Sequence, residues 1–118
     1  MKRLILGLAL MAAATAACSS GGGGTPATGG SVTIVAKDLK FLTTSITAPA
    51  DAAFAIELDN QESVPHNIAV SDATGASVFK GEIVTGTKVS NAIPALAAGS
   101  YPFICEVHPQ MKGTITAE

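Results

Sequence analysis

Three residues close to one another in the chain carry side chains that bind soft transition metals at even spacing: Cys105, His108 and Met111. Thiolate, imidazole and thioether are the soft and intermediate donors that suit copper. The run Tyr101-Pro102-Phe103-Ile104-Cys105 reads as a strand in which Tyr101, Phe103 and Cys105 share a face. Two of those three are aromatic, so this is the core face, and Cys105 sits at its inner end. A tight loop after it can aim Cys105, His108 and Met111 at one point. A trigonal copper site needs a second imidazole. The chain has two histidines, so elimination leaves His66, in Val64-Pro65-His66-Asn67.

Taken one at a time, these residues have ordinary roles. A histidine that opens a strand is commonly structural or exposed. A cysteine on a core-facing strand acts as a small hydrophobe. A lone methionine packs, and Glu106 beside Cys105 is a solvated charge. The four ligands argue for a site only jointly, as one spaced constellation on a strand-rich domain. Zinc fits less well, because methionine is not among its usual ligands. A binuclear copper centre needs two bridging cysteines, and the domain offers Cys105 alone.

The elements that must position these residues read as strands. Ser31–Ala36 is β-branched and alternating, and Phe54–Asp59 places Phe54, Ile56 and Leu58 on one face. Asn67–Val70, Ser77–Lys80, Thr87–Ile93, Gly99–Glu106 and Gly113–Ala117 follow. Turn residues separate them at Ala48-Pro49-Ala50-Asp51, Asp72-Ala73-Thr74-Gly75 and Ala98-Gly99. The stretch Ala36–Phe41 is open between a helical turn and something else. Short, closely spaced strands with no long helical pattern favour an antiparallel sandwich or barrel.

Not all of the 118 residues belong to that domain. Met1-Lys2-Arg3 is basic, and Leu4–Ala17 is apolar and small. This is the pattern of a secretory signal, expected over residues 1–17. Its apolar run, about 14 residues, falls short of the ~20 that span a bilayer as a helix. Thr15-Ala16-Ala17-Cys18 resembles a bacterial lipobox, with Thr where Leu is usual, so Cys18 is the expected lipidation site. Residues 18–30 are rich in Gly, Ser and Thr and read as a flexible tether with a reach of roughly 20 Å. The folded domain is then 31–118. It is small enough for a metal that links distant loops to add usefully to its stability.

Loss of the leader removes Lys2 and Arg3, leaving five lysines against nine carboxylates. No basic patch remains for nucleic acid. With Cys18 assigned to lipid, Cys105 is an odd cysteine in an oxidising compartment, which calls for an explanation such as a metal. A Cys18–Cys105 disulfide would join a tether to the domain and is set aside.

The run Gly99-x-Tyr101-x-Phe103-x-Cys105-x-x-His108-x-x-Met111-x-Gly113 resembles the cupredoxin, or type 1 blue-copper, family, and His66-Asn67 is similar to its first ligand and neighbour. The short Cys-x-x-His-x-x-Met loop is similar to that of amicyanins and shorter than that of plastocyanins. The resemblance implies an all-β Greek-key sandwich. It implies His66, Cys105 and His108 as equatorial copper ligands, with Met111 as a weak axial ligand that tunes the potential. It also implies that the Asn67 backbone donates to the Cys105 sulfur while its side chain pins two loops together. Pro109 lacks an N–H to give the thiolate, which favours the reduced state. The edge of His108 would face solvent as the electron port.

The function so implied is single-electron transfer between two redox proteins, donor and acceptor, by a monomer in the periplasm or on the cell surface. A rigid β scaffold lets the metal change charge with little movement. No substrate pocket or acid–base pair is called for, so no enzyme is expected. The alternative is a tethered copper carrier that supplies a copper enzyme. Carriers usually expose Met and His clusters, which this domain lacks.

Overall fold

The computed structural model describes residues 24–27 and 30–118. Among them there are ten strands and no helix. In chain order these are β1 (Thr25–Pro26), β2 (Ser31–Lys37), β3 (Lys40–Phe41), β4 (Ser45–Ala48) and β5 (Phe54–Asn60). The second half adds β6 (Ala69–Ser71), β7 (Ser77–Lys80), β8 (Lys88–Ile93), β9 (Gly99–Ile104) and β10 (Lys112–Ala117). They form two sheets, ordered β1-β4-β10-β9-β6-β7 and β3-β2-β5-β8.

Period-two patterning decides which faces meet. In β2 the buried residues are Val32, Ile34 and Ala36; in β5 they are Phe54, Ile56, Leu58 and Asn60. The other sheet answers with Ile46, Val70, Phe103 and Ile115, all fully buried. Burying each such large aliphatic or aromatic side chain stabilises by about 1.5–3 kcal/mol before entropy is counted. Phe41 and Phe103 pack with ring centroids 5.7 Å apart, joining the sheets beneath the Cys105 loop.

The sandwich is the expected one, but its strand directions are mixed. β2 runs parallel to β5, and β4 runs parallel to both β1 and β10. Between β2 and β5 the chain crosses to the other sheet to form β4 and then returns, so β2 and β5 point the same way. Alternation along a strand reports its buried face and is silent about its neighbour's direction.

Three local differences follow. Ala36–Phe41 is a hairpin, in which Asp38 and Leu39 both have φ 56°, the two positive values of a tight hairpin turn. Ser45–Ala48 is a strand, although its four residues do not announce one. Residues 18–30, read as tether, are partly drawn into the fold: Thr25–Pro26 pair with Ile46–Thr47, and Ala27 N–H donates to Thr47 O at 2.9 Å. The signal segment 1–17 and Cys18 lie outside the described residues.

The topology brings one end of the sandwich into focus. β5 and β9 finish there, while β6, β8 and β10 begin there. The loops 61–68, 81–87 and 105–111 therefore meet at that end.

Candidate metal centre

Cys105 follows directly on β9 and is fully buried. Two backbone bonds close the loop after it: Met111 N–H donates to His108 O at 2.8 Å, and Cys105 N–H donates to Met111 O at 2.9 Å. The chain thus turns back at once, and β10 starts beside the end of β9, with Lys112 opposite Ile104. Gly113 allows this closeness. A Cβ there would meet the Phe103 ring and lie 2.5 Å from Thr44 O.

His66 comes from the β5–β6 connection. It forms a two-way bridge with Val84, N–H to O at 3.0 Å and O from N–H at 2.9 Å. Asn60, buried at the end of β5, holds that connection. Its Nδ2 donates to Val64 O and Val84 O, both at 2.8 Å, and its Oδ1 accepts from Glu62 N–H at 2.9 Å.

The structure brings His66, Cys105 and His108 together. Cys105 Sγ lies 3.7 Å from His66 Nδ1 and 4.0 Å from His108 Nδ1, and the three donor atoms are within 4.8 Å of one another. The imidazole centroids are 5.0 Å apart at 61°. An ion with nitrogen bonds near 2.0 Å and a sulfur bond near 2.3 Å, at trigonal angles, sets its N and S donors about 3.7 Å apart. The spacing therefore fits one bound ion with little rearrangement. Met111 is buried in the same loop, 2% exposed. His66 is fully buried, whereas His108 is partly exposed.

The side chain of buried Asn67 ties the site's loops. Its Oδ1 accepts from Glu106 N–H at 2.8 Å, and its Nδ2 donates to Gly81 O at 3.2 Å. Next to Cys105, Glu106 also pairs with Lys80 at 3.0 Å.

Glu62, like Asn60, is a residue that the sequence does not reveal. Its Oε2 lies 2.7 Å from His66 Nε2, the ring nitrogen turned away from Cys105. It also accepts from Leu39 N–H at 3.2 Å. The hydrogen bond with His66 holds the Glu62 carboxyl below its ordinary range; the Leu39 N–H adds to this, and desolvation opposes it. A carboxylate behind a ligating imidazole fixes the ring's orientation and tautomer. The available signal was a Glu four residues before His66, but outside a helix that spacing implies no contact.

The sequence matches the family model described as a Cupredoxin-like domain over residues 3–117. The chain therefore belongs to the cupredoxin-like family. It is 33% identical over 89 residues to an amicyanin of Paracoccus versutus, a match that covers 75% of this chain and 65% of that protein. The chain thus spans a little under two thirds of that relative's length. It is also 29% identical over 92 residues to amicyanin-alpha of Methylorubrum extorquens, covering 78% of this chain and 76% of that one. Among solved structures, Paracoccus versutus amicyanin superposes with a TM-score of 0.61 at 31% identity, covering 75% and 81% of the two chains. Auracyanin A, a "blue" copper protein from Chloroflexus aurantiacus, gives 0.67 at 20% identity, covering 80% and 100%, a likeness of fold.

Proposed function

We propose that this chain is a mononuclear type 1 copper protein that passes single electrons between redox partners, with His66, Cys105, His108 and Met111 as its ligands. The observation that carries the reading is the convergence of a buried thiol and two imidazoles at distances that suit one ion. When bound, copper would supply a one-electron couple.

The chain's own residues do the rest. Glu62 and Asn60 hold His66. Asn67 holds the Cys105 loop against the β7–β8 connection. The core closes over Cys105, His66 and Met111 and keeps water away from them. His108 alone of the histidines reaches the surface, and Val107 beside it is 39% exposed, which gives a partner a contact. Nothing in this set acts as an acid, base or nucleophile on a substrate, so the protein is read as a carrier of electrons and not an enzyme. Burial of three of the four ligands argues against the alternative of a copper carrier, which must release its metal readily.

The exported state belongs to the same reading. Residues 1–17 act as a signal, Cys18 takes a lipid, and the domain works as a monomer in the periplasm or at the cell surface. The test is titration of the purified domain with copper. Uptake of one ion per chain, reversible reduction by a one-electron donor, and slow loss to a chelator are expected. Rapid loss to the chelator would favour the carrier, and no uptake would refute both.

A further inference from the structure

The two ends of the sandwich are chemically unlike. Among the described residues all five lysines lie in the metal half. Lys37 and Lys40 flank the β2–β3 turn, Lys80 stands opposite Ala69, Lys88 opposite Asp59, and Lys112 opposite Ile104. Carboxylates share that half, so it is close to neutral. The far end carries Asp51, Asp72 and Glu118 with no lysine or arginine. The exposed large apolar side chains, Leu39, Leu42, Ile83 and Val107, also lie in the metal-end loops.

A separate observation concerns the chain's entry. β10 runs away from Met111, β4 is parallel to it, and β1 is parallel to β4. The chain therefore enters β1 from the metal side. The entry is held in place: a Cβ on Gly24 would lie 2.6 Å from Thr47 Oγ1 and 2.9 Å from Thr47 N, and Ala27 is bonded to Thr47 O.

We infer that the metal end of the domain rests on the anionic bilayer surface that holds the chain through Cys18. This rests on the lipid-anchor reading proposed above. From Cys18 to Gly24 is about six residues, which span ~20 Å at most. A chain that leaves toward the metal end sets the lipid on that side. Lysine ammonium groups reach anionic headgroups while their stems, with Leu39, Leu42, Ile83 and Val107, sit at the headgroup boundary. The far end, anionic and without lysine, is repelled from the same surface. Only a partner in or on that membrane then reaches the His108 edge.

The test uses the full-length chain, exported and processed in a bacterial host, loaded with copper, and placed in vesicles of phosphatidylethanolamine and phosphatidylglycerol. Lysine acylation and carbodiimide labelling of carboxylates are mapped by mass spectrometry against Cys18→Ser protein in solution. Loss of reactivity at Lys37, Lys40 and Lys112, with Asp51, Asp72 and Glu118 unchanged, is expected. Gly24→Val, which pushes β1 off β4, should keep the lipid and the copper absorption but lose the lysine protection. Unprotected lysines, or protection of Asp51, Asp72 or Glu118, overturn the orientation, and lysine protection that survives Gly24→Val overturns the role of β1. Protection in native membranes but not in these vesicles assigns the contact to a membrane protein and overturns contact with lipid. Intact mass reads the anchor separately: no lipid on Cys18 overturns the anchor reading before any vesicle is made.

Discussion

Glu62 and His66 meet across 2.7 Å, Oε2 to Nε2, so the other ring nitrogen of His66 is the one turned to Cys105. Glu62 is four residues from His66 in the chain, yet it is the loop from β5, tied by Asn60, that makes them neighbours. Removing the carboxylate frees the ring to rotate. Glu62→Ala is predicted to weaken metal affinity by about 10–100-fold, the usual cost of losing a partner behind a ligating histidine. Glu62→Gln, which keeps a neutral partner, should lose less. Competition against a chelator measures both.

Acid should weaken the fold at the far end through Asp72. Its carboxyl is held below the ordinary aspartate range, first by the Thr74 hydroxyl and then by backbone N–H groups of Ala76, Thr74 and Gly75. A carboxyl with a depressed folded value stabilises the fold above its unfolded value and loses that contribution as pH falls through the folded value. The effect therefore lies below about pH 4 for an aspartate of this kind. Urea midpoints of metal-free protein should fall less steeply there in Asp72→Asn than in the parent; equal slopes would contradict the assignment.

Gly113→Ala is predicted to destabilise the domain by about 1–3 kcal/mol, the range for overpacking a filled site. The added methyl meets the buried Phe103 ring, which packs on Phe41, and the Thr44 carbonyl, which accepts from Thr114 N–H. Gly30→Ala, where nothing lies within 4 Å but φ is +76°, is the control for backbone conformation alone. Urea unfolding separates the two effects.

Met111→Gln should leave the site coloured and lower its reduction potential. An amide oxygen is a harder donor than a thioether and favours the oxidised metal. Voltammetry reads the shift. An unchanged or raised potential would count against Met111 as a ligand.

Much of the site could be read from the chain because its ligands cluster. Cys105, His108 and Met111 sit within one short loop, and the strand before them announces its buried face through Phe103. His66 is legible because the chain has only two histidines. Glu62 and Asn60 stayed hidden because loops have no period, so nothing in the spacing says that Asn60 spans Val64 and Val84. The long strands β2 and β5 alternate strongly and showed themselves. β4 did not: it is four residues long, and its pairings with β1 and β10 are distant in sequence. The β2–β3 turn was open because Leu39 takes φ 56°, a value its side chain does not advertise. β1 was hidden in a segment whose composition says coil, and only the close fit of Gly24 on Thr47 gives that glycine a structural reason.

The most direct test of the account is the optical and EPR spectrum of the copper-loaded domain beside that of Cys105→Ser. Copper held by the Cys105 thiolate together with His66 and His108 would give an intense blue absorption and a narrow copper hyperfine splitting, both lost in Cys105→Ser. Copper that binds without the blue band, or a band that survives the loss of Cys105, would contradict the proposed centre.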